Sequence, residues 1–217
     1  MKILILGATG RTGKYALQFA LQKGYLVNVL VRDASKIMPA DNLSVFEGNT
    51  TNKDDLQKAA FGCSAMLSVL NISRTSDFPW ATLRTPKTFL SDTMKNCIDV
   101  AQVLGIKRMV VCSAWGVAET ANDVPLWFRL MIRFSNIGLA YAEHEHQEKL
   151  LVASNLFWTI VRPGGLTNTK GAESIRMSFE NRPRPHLTIS RRSVARFMVE
   201  AINTRSLIGK LPVISKE

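Results

Sequence analysis

A turn with three glycines, spaced three residues apart, follows the first apolar run of the chain. The run Ile3 to Leu6 is apolar at every position, which predicts a strand covered on both faces in a parallel sheet. Gly7, Gly10 and Gly13 come next, and beyond them apolar residues recur at helical spacing. We therefore expect an α/β fold whose first strand enters a helix through a tight turn.

Glycines at such a junction favour one kind of ligand. Because they lack Cβ atoms, the backbone can approach a pyrophosphate closely, and the free N–H groups at the helix start attract its negative charge. A tight turn without a ligand is the alternative interpretation of the spacing. The position of the turn, between a buried strand and a helix, favours a dinucleotide-binding site.

The end of the second predicted strand, residues 25–31, indicates which dinucleotide is bound. Enzymes that use NAD commonly have an acidic residue there, which accepts hydrogen bonds from the adenosine ribose. This chain has Arg32, whose guanidinium matches a 2′-phosphate, and Lys36 and Arg11 can add positive charge. Asp33 is an alternative ribose ligand, and Lys36 taken alone fits an ordinary surface cation. We expect NADP in preference to NAD.

The size and charge of the chain limit the classes of ligand and partner that we expect. Its 217 residues fit a single domain, 1–217, and its formal net charge is +11. Such a charge suits binding to nucleic acid or a membrane surface, but the basic residues are spread along the chain outside a crowded last third. No basic run interleaves with aromatic residues. We therefore expect a small anionic ligand, no nucleic acid and no membrane, and a monomer or homodimer.

Three further features bear on the compartment. No apolar stretch approaches the ~20 residues of a membrane helix, and the first strand begins at once, so a cytoplasmic protein without a signal peptide is expected. Cys63, Cys97 and Cys112 lie in or beside apolar segments without metal-ligand spacing. They are expected to be reduced core thiols.

Strand and helix patterns alternate along the chain, which is typical of a Rossmann-type doubly wound parallel sheet. Further strands are predicted at 43–46, 65–70, 108–113 and 157–161, and helices at 53–60, 87–104 and 140–154. Beyond them, a small C-terminal cap on the substrate side is predicted from a strand at 186–189, a helix at 192–203 and a strand at 211–214.

The substrate side is expected to comprise about 114–137 and 165–217. Residues 71–85 form a long loop with Phe78 and Trp80, of a length that is usually functional or disordered, and the two aromatic residues favour a cover over a site. Within 114–137, the apolar segment 124–137 fits a packed helix, a substrate lid or a dimer face.

In open parallel sheets, ligands bind beyond the carboxyl ends of the strands. This rule brings together segments that are far apart in the sequence. They are the glycine turn, Arg32, Asn49-Thr50, Ser68 to Asn71, Ser113 to Trp115 and Arg162 to Leu166. A shared site is therefore expected at this edge of the sheet.

Four segments together resemble the atypical short-chain dehydrogenase/reductase superfamily, in the NmrA-like NAD(P)H-binding branch that includes flavin reductase/biliverdin-IXβ reductase. They are Gly7-Ala-Thr-Gly10-Arg-Thr-Gly13, residues 29–36, Val111-Cys-Ser113 and Trp158 to Gly164. The resemblance implies that the turn binds the pyrophosphate, that basic residues after the second strand bind the 2′-phosphate, and that Ser113 lies near the nicotinamide. With the strand ends it gives these cofactor residues: Gly7, Thr9, Gly10, Arg11, Thr12, Gly13, Arg32, Lys36, Asn49, Thr50, Leu70, Ser113 and Pro163.

One feature departs from the wider superfamily, whose dehydrogenases move a proton with a Tyr-x-x-x-Lys pair. Tyr141 is followed four residues later by Glu145, whose carboxylate is expected to raise the pKa of the phenol. Lys149 lies about two helical turns from Tyr141. Alcohol oxidation by the common mechanism is therefore not expected.

Ser113 is the leading catalytic candidate, because its hydroxyl can orient the acceptor or the nicotinamide amide. Tyr141 and His144 are secondary candidates as proton donors. The cluster His144-Glu-His-Gln-Glu148 lacks the order of a zinc site, so we expect no metal and a solvated polar helix face. Trp80 and Trp115 fit either stacking surfaces or the core.

Two functions from different classes fit these residues. The first is NADPH-dependent hydride transfer to a flavin, quinone or similar conjugated acceptor, which needs ring positioning more than a strong acid. The second is a binding protein without catalysis that senses NADP(H) and signals to a partner protein. The missing pair and the short C-terminal portion disfavour a nucleotide-sugar epimerase or dehydratase.

Overall fold

Strands and helices alternate along the residues that the computed structural model describes, 1–171 and 173–217. The strands are β1 (Lys2–Leu6), β2 (Leu26–Val31), β3 (Leu43–Glu47), β4 (Ala65–Ser68), β5 (Arg108–Cys112), β6 (Phe157–Pro163), β7 (Gly165–Thr167), β8 (Ile175–Ser178), β9 (Thr188–Ser190) and β10 (Val213–Lys216). The α-helices are α1 (Gly13–Gln22), α2 (Lys53–Ala60), α3 (Phe89–Leu104), α4 (Leu126–Phe134), α5 (Ile137–Val152) and α6 (Arg191–Ala201).

Eight of these strands form one sheet in the order β3-β2-β1-β4-β5-β6-β10-β8. Every neighbouring pair is parallel except β10 and β8, which are antiparallel at one edge. The strand order reverses between β1 and β4, and such a switch point is where open α/β sheets bind their ligands. The predicted Rossmann-type doubly wound sheet is confirmed.

Alternate residues of β1 supply the two sides of the core. Ile3 and Ile5 pack in the cluster that includes residues of α1 and α6, whereas Leu4 and Leu6 pack in the cluster that includes residues of α2, α3 and α5. All four side chains are buried. An apolar run without alternation therefore does mark a strand that is covered on both faces.

The helix boundaries follow local signals. Gly105 caps α3 in the left-handed region, with φ of 71°, as its position after the predicted helix indicates. Pro125 stands immediately before α4, and a break at 135–136 separates α4 from α5. The apolar segment 124–137 thus contains one short helix and the first residue of the next, and α5 begins three residues earlier than predicted.

The C-terminal third was predicted to form a cap, but much of it belongs to the large sheet. β10 pairs with β6 inside the large sheet, β8 forms its edge, and α6 packs against α1. Among the described residues, β7 and β9 form a separate two-stranded sheet, which follows the carboxyl end of β6. The sequence patterns locate α6 well but miss β7 and β8.

The three cysteines are free thiols. Cys63 and Cys97 are buried and Cys112 is partly buried. Burial raises the pKa of the Cys63 thiol to about 11 and that of Cys97 to about 12. Within the two described ranges, no helix is long and apolar enough to cross a membrane.

Candidate cofactor and reaction site

The glycine turn between β1 and α1 requires glycine at positions 7 and 13. Gly7 has φ of +87°, and a Cβ there would lie 3.2 Å from the Leu70 side chain. A Cβ on Gly13 would overlap the carbonyl oxygen of Gly7, and the Gly10 N–H donates to that same oxygen at 2.9 Å. The turn is therefore folded tightly against the end of β4.

The start of α1 is open to an anion. The Thr12 side chain makes no capping hydrogen bond, and no acidic residue lies in the first turn of the helix. Thr9, Gly10 and Arg11 are exposed. Free N–H groups and the positive end of the helix dipole attract a phosphate at such a place. Within the described chain, the turn thus fits the pyrophosphate of a dinucleotide.

Arg32 and Asp33 differ in how far they are engaged. The Asp33 carboxylate accepts from the Ser35 N–H at 3.1 Å and from the Ser35 hydroxyl at 2.6 Å, and it pairs with Lys36 at 3.0 Å. These bonds from Ser35 and Lys36 lower the pKa of Asp33. Arg32 is exposed at the end of β2. The arrangement leaves Arg32, rather than Asp33 or Lys36, available to a ligand at this strand end.

Arg11, expected to add positive charge near Arg32, is paired with an acidic residue. Its guanidinium makes two hydrogen bonds, at 2.7 and 2.6 Å, to the carboxylate of Asp77 in the 71–85 loop. The pair raises the pKa of Arg11 and lowers that of Asp77, and Arg191 and Arg74 also lower the latter by their charge. Asp77 and Arg191 are two residues of this region that motifs did not identify.

Asn49 and Thr50 follow β3 with different surroundings. Asn49 is exposed, and its N–H donates to the Asp55 carboxylate at 3.0 Å. Thr50 is buried, and its hydroxyl lies 2.9 Å from the hydroxyl of Thr93 in α3. Because this hydroxyl is already paired, Thr50 joins the strand end to α3 and is a poor ligand for a cofactor.

Ser113 lies at the carboxyl end of β5 with an unpaired hydroxyl. Its N–H donates to the carbonyl of Val161 at 2.7 Å, which fixes the backbone. Its side chain is buried, yet its Oγ has no hydrogen-bond partner among the described residues. Burying an unpaired hydroxyl is costly, so Oγ is a natural contact for a bound ligand. Pro163, also buried, accepts from the Trp115 N–H at 3.0 Å on the neighbouring strand end.

Trp115 is part of the core and does not offer a free stacking surface. It is 5% exposed and packs with Val124, Val213 and Phe128. Trp80 is 54% exposed, and its Nε1–H donates to the carbonyl of Phe134 at 2.8 Å. Of the two tryptophans, only Trp80 has its ring open to the surface.

Tyr141 is partly buried, and its hydroxyl is bound to the backbone. Its hydroxyl donates to the carbonyl of Trp115 at 3.2 Å, and burial raises its pKa far above the ordinary value. The direction of this pKa shift was expected, but the expected cause was wrong. Glu145 points away to pair with Lys149 at 2.7 Å, and desolvation alone raises the pKa. The expected effect of the Glu145 carboxylate on this phenol is therefore not what raises its pKa.

His144 belongs to a buried chain of hydrogen bonds between two strand ends. Gln147 donates through Nε2 to the Cys112 carbonyl at 3.1 Å and to Nδ1 of His144 at 2.6 Å. Nε2 of His144 then donates to Oδ1 of Asn71 at 3.1 Å. Because Nδ1 accepts, the ring is the neutral Nε2–H tautomer. Burial lowers its pKa to about 4, which contradicts a part as proton donor near neutral pH.

The polar side of α5 is buried, so the expectation of a solvated face was wrong. The Glu143 carboxylate accepts from the Leu90 and Ser91 N–H groups, at 3.1 and 3.0 Å, at the start of α3. Glu148 makes two hydrogen bonds to Arg162, at 3.0 and 2.6 Å, and Arg162 also pairs with Glu119. Glu143 therefore caps α3, and Glu148 joins α5 to β6 through Arg162. Over the described residues, no cluster of His, Cys, Asp and Glu could hold a metal ion.

The comparisons with known proteins agree with this geometry. The chain matches the model of a family described as NAD(P)H-binding over residues 7–205. It is 25% identical over 181 residues to the uncharacterized sugar epimerase YhfK of Bacillus subtilis, which covers 81% of this chain and 77% of YhfK.

Two solved structures have the same fold. The anaerobillin reductase ChuY of Escherichia coli O157:H7 is similar with a TM-score of 0.80 at 21% identity, covering 100% of this chain and 97% of ChuY. A short-chain dehydrogenase/reductase of Veillonella parvula, solved in complex with NADP, has a TM-score of 0.80 at 17% identity, covering 99% of this chain and 94% of that one. The resemblance found in the sequence is confirmed, and the chain belongs to the NAD(P)H-binding family.

Proposed function

We propose that this protein is an NADPH-dependent reductase that transfers hydride to a small conjugated acceptor, of the flavin or quinone class. Two observations together support the proposal: the buried Ser113 hydroxyl has no partner among the described residues, and the Tyr141 hydroxyl is already bound to a backbone carbonyl. The Ser113 hydroxyl is therefore available to a ligand. The Tyr141 hydroxyl has a raised pKa, so it is a poor acid or base for carbonyl and alcohol chemistry.

Different residues at the carboxyl ends of the strands bind different parts of the cofactor. The N–H groups at the start of α1 attract the pyrophosphate, and Arg32 is available to a 2′-phosphate, which favours NADP over NAD. The Ser113 hydroxyl orients the amide of the nicotinamide or the acceptor. NADPH, when bound, supplies the hydride. A conjugated acceptor can take its proton from water, so the protein mainly has to position the two rings.

The test is oxidation of NADPH by the purified protein with a panel of free flavins and quinones. The expected result is oxidation above the uncatalysed rate with at least one acceptor. Because a contaminating reductase would give the same signal, the Arg32→Ala variant serves as a control, and its rate should fall at limiting NADPH. Tight binding of NADPH without oxidation of any acceptor would contradict the proposal.

That outcome would support the second function, a redox sensor without catalysis. The Arg11 to Asp77 pair favours this alternative, because it links the glycine turn to the 71–85 loop. A ligand at the turn that competes for Arg11 would release the loop, and a partner protein could respond to that change. Measuring proteolysis of the loop with and without NADPH distinguishes this coupling from simple binding.

A further inference from the structure

The outer side of α4 is apolar and has no partner within the described residues. Phe128 faces inward against Tyr141, with ring centroids 6.1 Å apart. Four other side chains of the helix are 46–63% exposed: Leu126, Trp127, Leu130 and Phe134. Their spacing places them along one side of the helix. A helix that is apolar on both its inner and its outer side is expected to bury both.

The 71–85 loop extends this surface. Trp80 is bound to the end of α4 through its hydrogen bond to the Phe134 carbonyl, and Phe78 lies 5.3 Å from Trp80 between ring centroids. Phe78 is 62% exposed. The six side chains, Phe78, Trp80, Leu126, Trp127, Leu130 and Phe134, form what we call the outer apolar patch. Contiguous exposed patches of this kind mark interaction sites.

The surroundings of the patch are basic. Residues 71–88 and 123–136 contain five basic and two acidic residues, and one of those acids, Asp77, is paired with Arg11. Arg133 lies over the ring of Phe134, 5.5 Å from its centroid. The whole chain has a net charge of +11. Aromatic and leucine side chains beside arginine are the composition of helices that lie in the interface of an anionic membrane.

We propose that the outer apolar patch docks on the surface of a bilayer containing anionic lipids. Trp127, Leu130 and Phe134 would insert among the headgroups, with Arg129 and Arg133 at the level of the phosphates. No membrane was expected from the sequence, because its basic residues are spread along the chain. The exposed apolar side of α4, which the sequence did not reveal, favours a membrane surface. A second copy of this chain is a less suitable occupant, since a symmetric interface would bring like charges together.

The experiment is flotation of the 217-residue chain with vesicles of phosphatidylcholine alone or mixed with phosphatidylglycerol. We expect binding to the mixed vesicles, weakened by high salt, and little binding to phosphatidylcholine alone. The double variant Trp127→Ser with Phe134→Ser should bind at least about tenfold more weakly, given the apolar area lost.

Two other exposed phenylalanines, which lie where β4 and β6 begin, provide a matched control. Phe61 and Phe157 are 71% and 54% exposed, against 60% and 63% for Trp127 and Phe134. The pair Phe61→Ser with Phe157→Ser should leave flotation unchanged. Absence of flotation in the wild-type protein, or equal loss in both double variants, would overturn the proposal. So would a dimer in light scattering that the Trp127 and Phe134 variant dissociates, without vesicle binding. Flotation needs no turnover, so its outcome is independent of the proposed reaction.

Discussion

At the scale of single residues, the site rests on two side chains whose surroundings leave them free for a ligand. Arg32 stands at the end of β2 beside an aspartate that is already engaged, and Ser113 has a buried Oγ without a partner among the described residues. Both were predicted from the sequence because each directly follows a buried strand. What could not be predicted was which neighbouring groups already engage these side chains: Arg11 pairs with Asp77, and the Thr50 hydroxyl lies against that of Thr93.

Replacing Arg32 with alanine should weaken NADPH binding by ~1–3 kcal/mol and leave NADH binding nearly unchanged, because only NADPH has the 2′-phosphate. Isothermal titration with both cofactors measures the difference. Lys36→Ala is the matched control, since Lys36 is paired with Asp33 and should have a smaller effect. An equal loss for NADPH and NADH would show that Arg32 is not at the 2′-phosphate.

Replacing Ser113 with alanine should separate folding from function. The substitution removes a buried hydroxyl that has no partner among the described residues, so the free energy of unfolding should stay the same or rise. Turnover of NADPH should fall by about 2- to 10-fold, the effect of losing one neutral hydrogen bond. A large loss of stability with unchanged turnover would make Ser113 a structural residue.

At the scale of elements, α5 shows how tertiary contacts change the meaning of a sequence pattern. Its polar residues suggest a solvated side, but Glu143 caps α3, Gln147 binds the end of β5, and Glu148 pairs with Arg162. Each partner comes from another element, so helical periodicity alone could not predict the burial. The spacing of three residues between His144 and Gln147 was the one available signal that they share a side.

The buried His144 makes the stability of this region dependent on pH. Its folded pKa is about 4, below the value of 6.5 for the free side chain, so the unfolded state binds more protons between these values. The stability that the protein gains from a neutral His144 is therefore fully present above about pH 6.5. It is lost as pH falls towards 4, which lowers the free energy of unfolding by ~1–3 kcal/mol. Urea unfolding at pH 7.5 and pH 5.0 measures it. His144→Gln, which cannot titrate, should lose less stability over this interval; an equal loss would contradict the assignment.

At the scale of the whole molecule, the sequence predicted the parallel sheet and the edge at which its strand ends meet. Long apolar runs and a glycine turn are local signals, and they place β1, β2 and the carboxyl edge correctly. β8 and β10 each have four residues and pair with strands far away in the chain, so the C-terminal third was predicted as a cap. The exposed side of α4 was also beyond the sequence, because apolar residues at helical spacing normally predict burial.

Hydride transfer without a tyrosine acid is tested by the rate of NADPH oxidation, with an accepted flavin or quinone, in the wild-type protein and in Tyr141→Phe. We expect the same rate in both, because the phenol is bound to the Trp115 carbonyl and its pKa is raised by burial. A loss of about 100-fold or more, the effect of removing a general acid or base, would contradict that expectation.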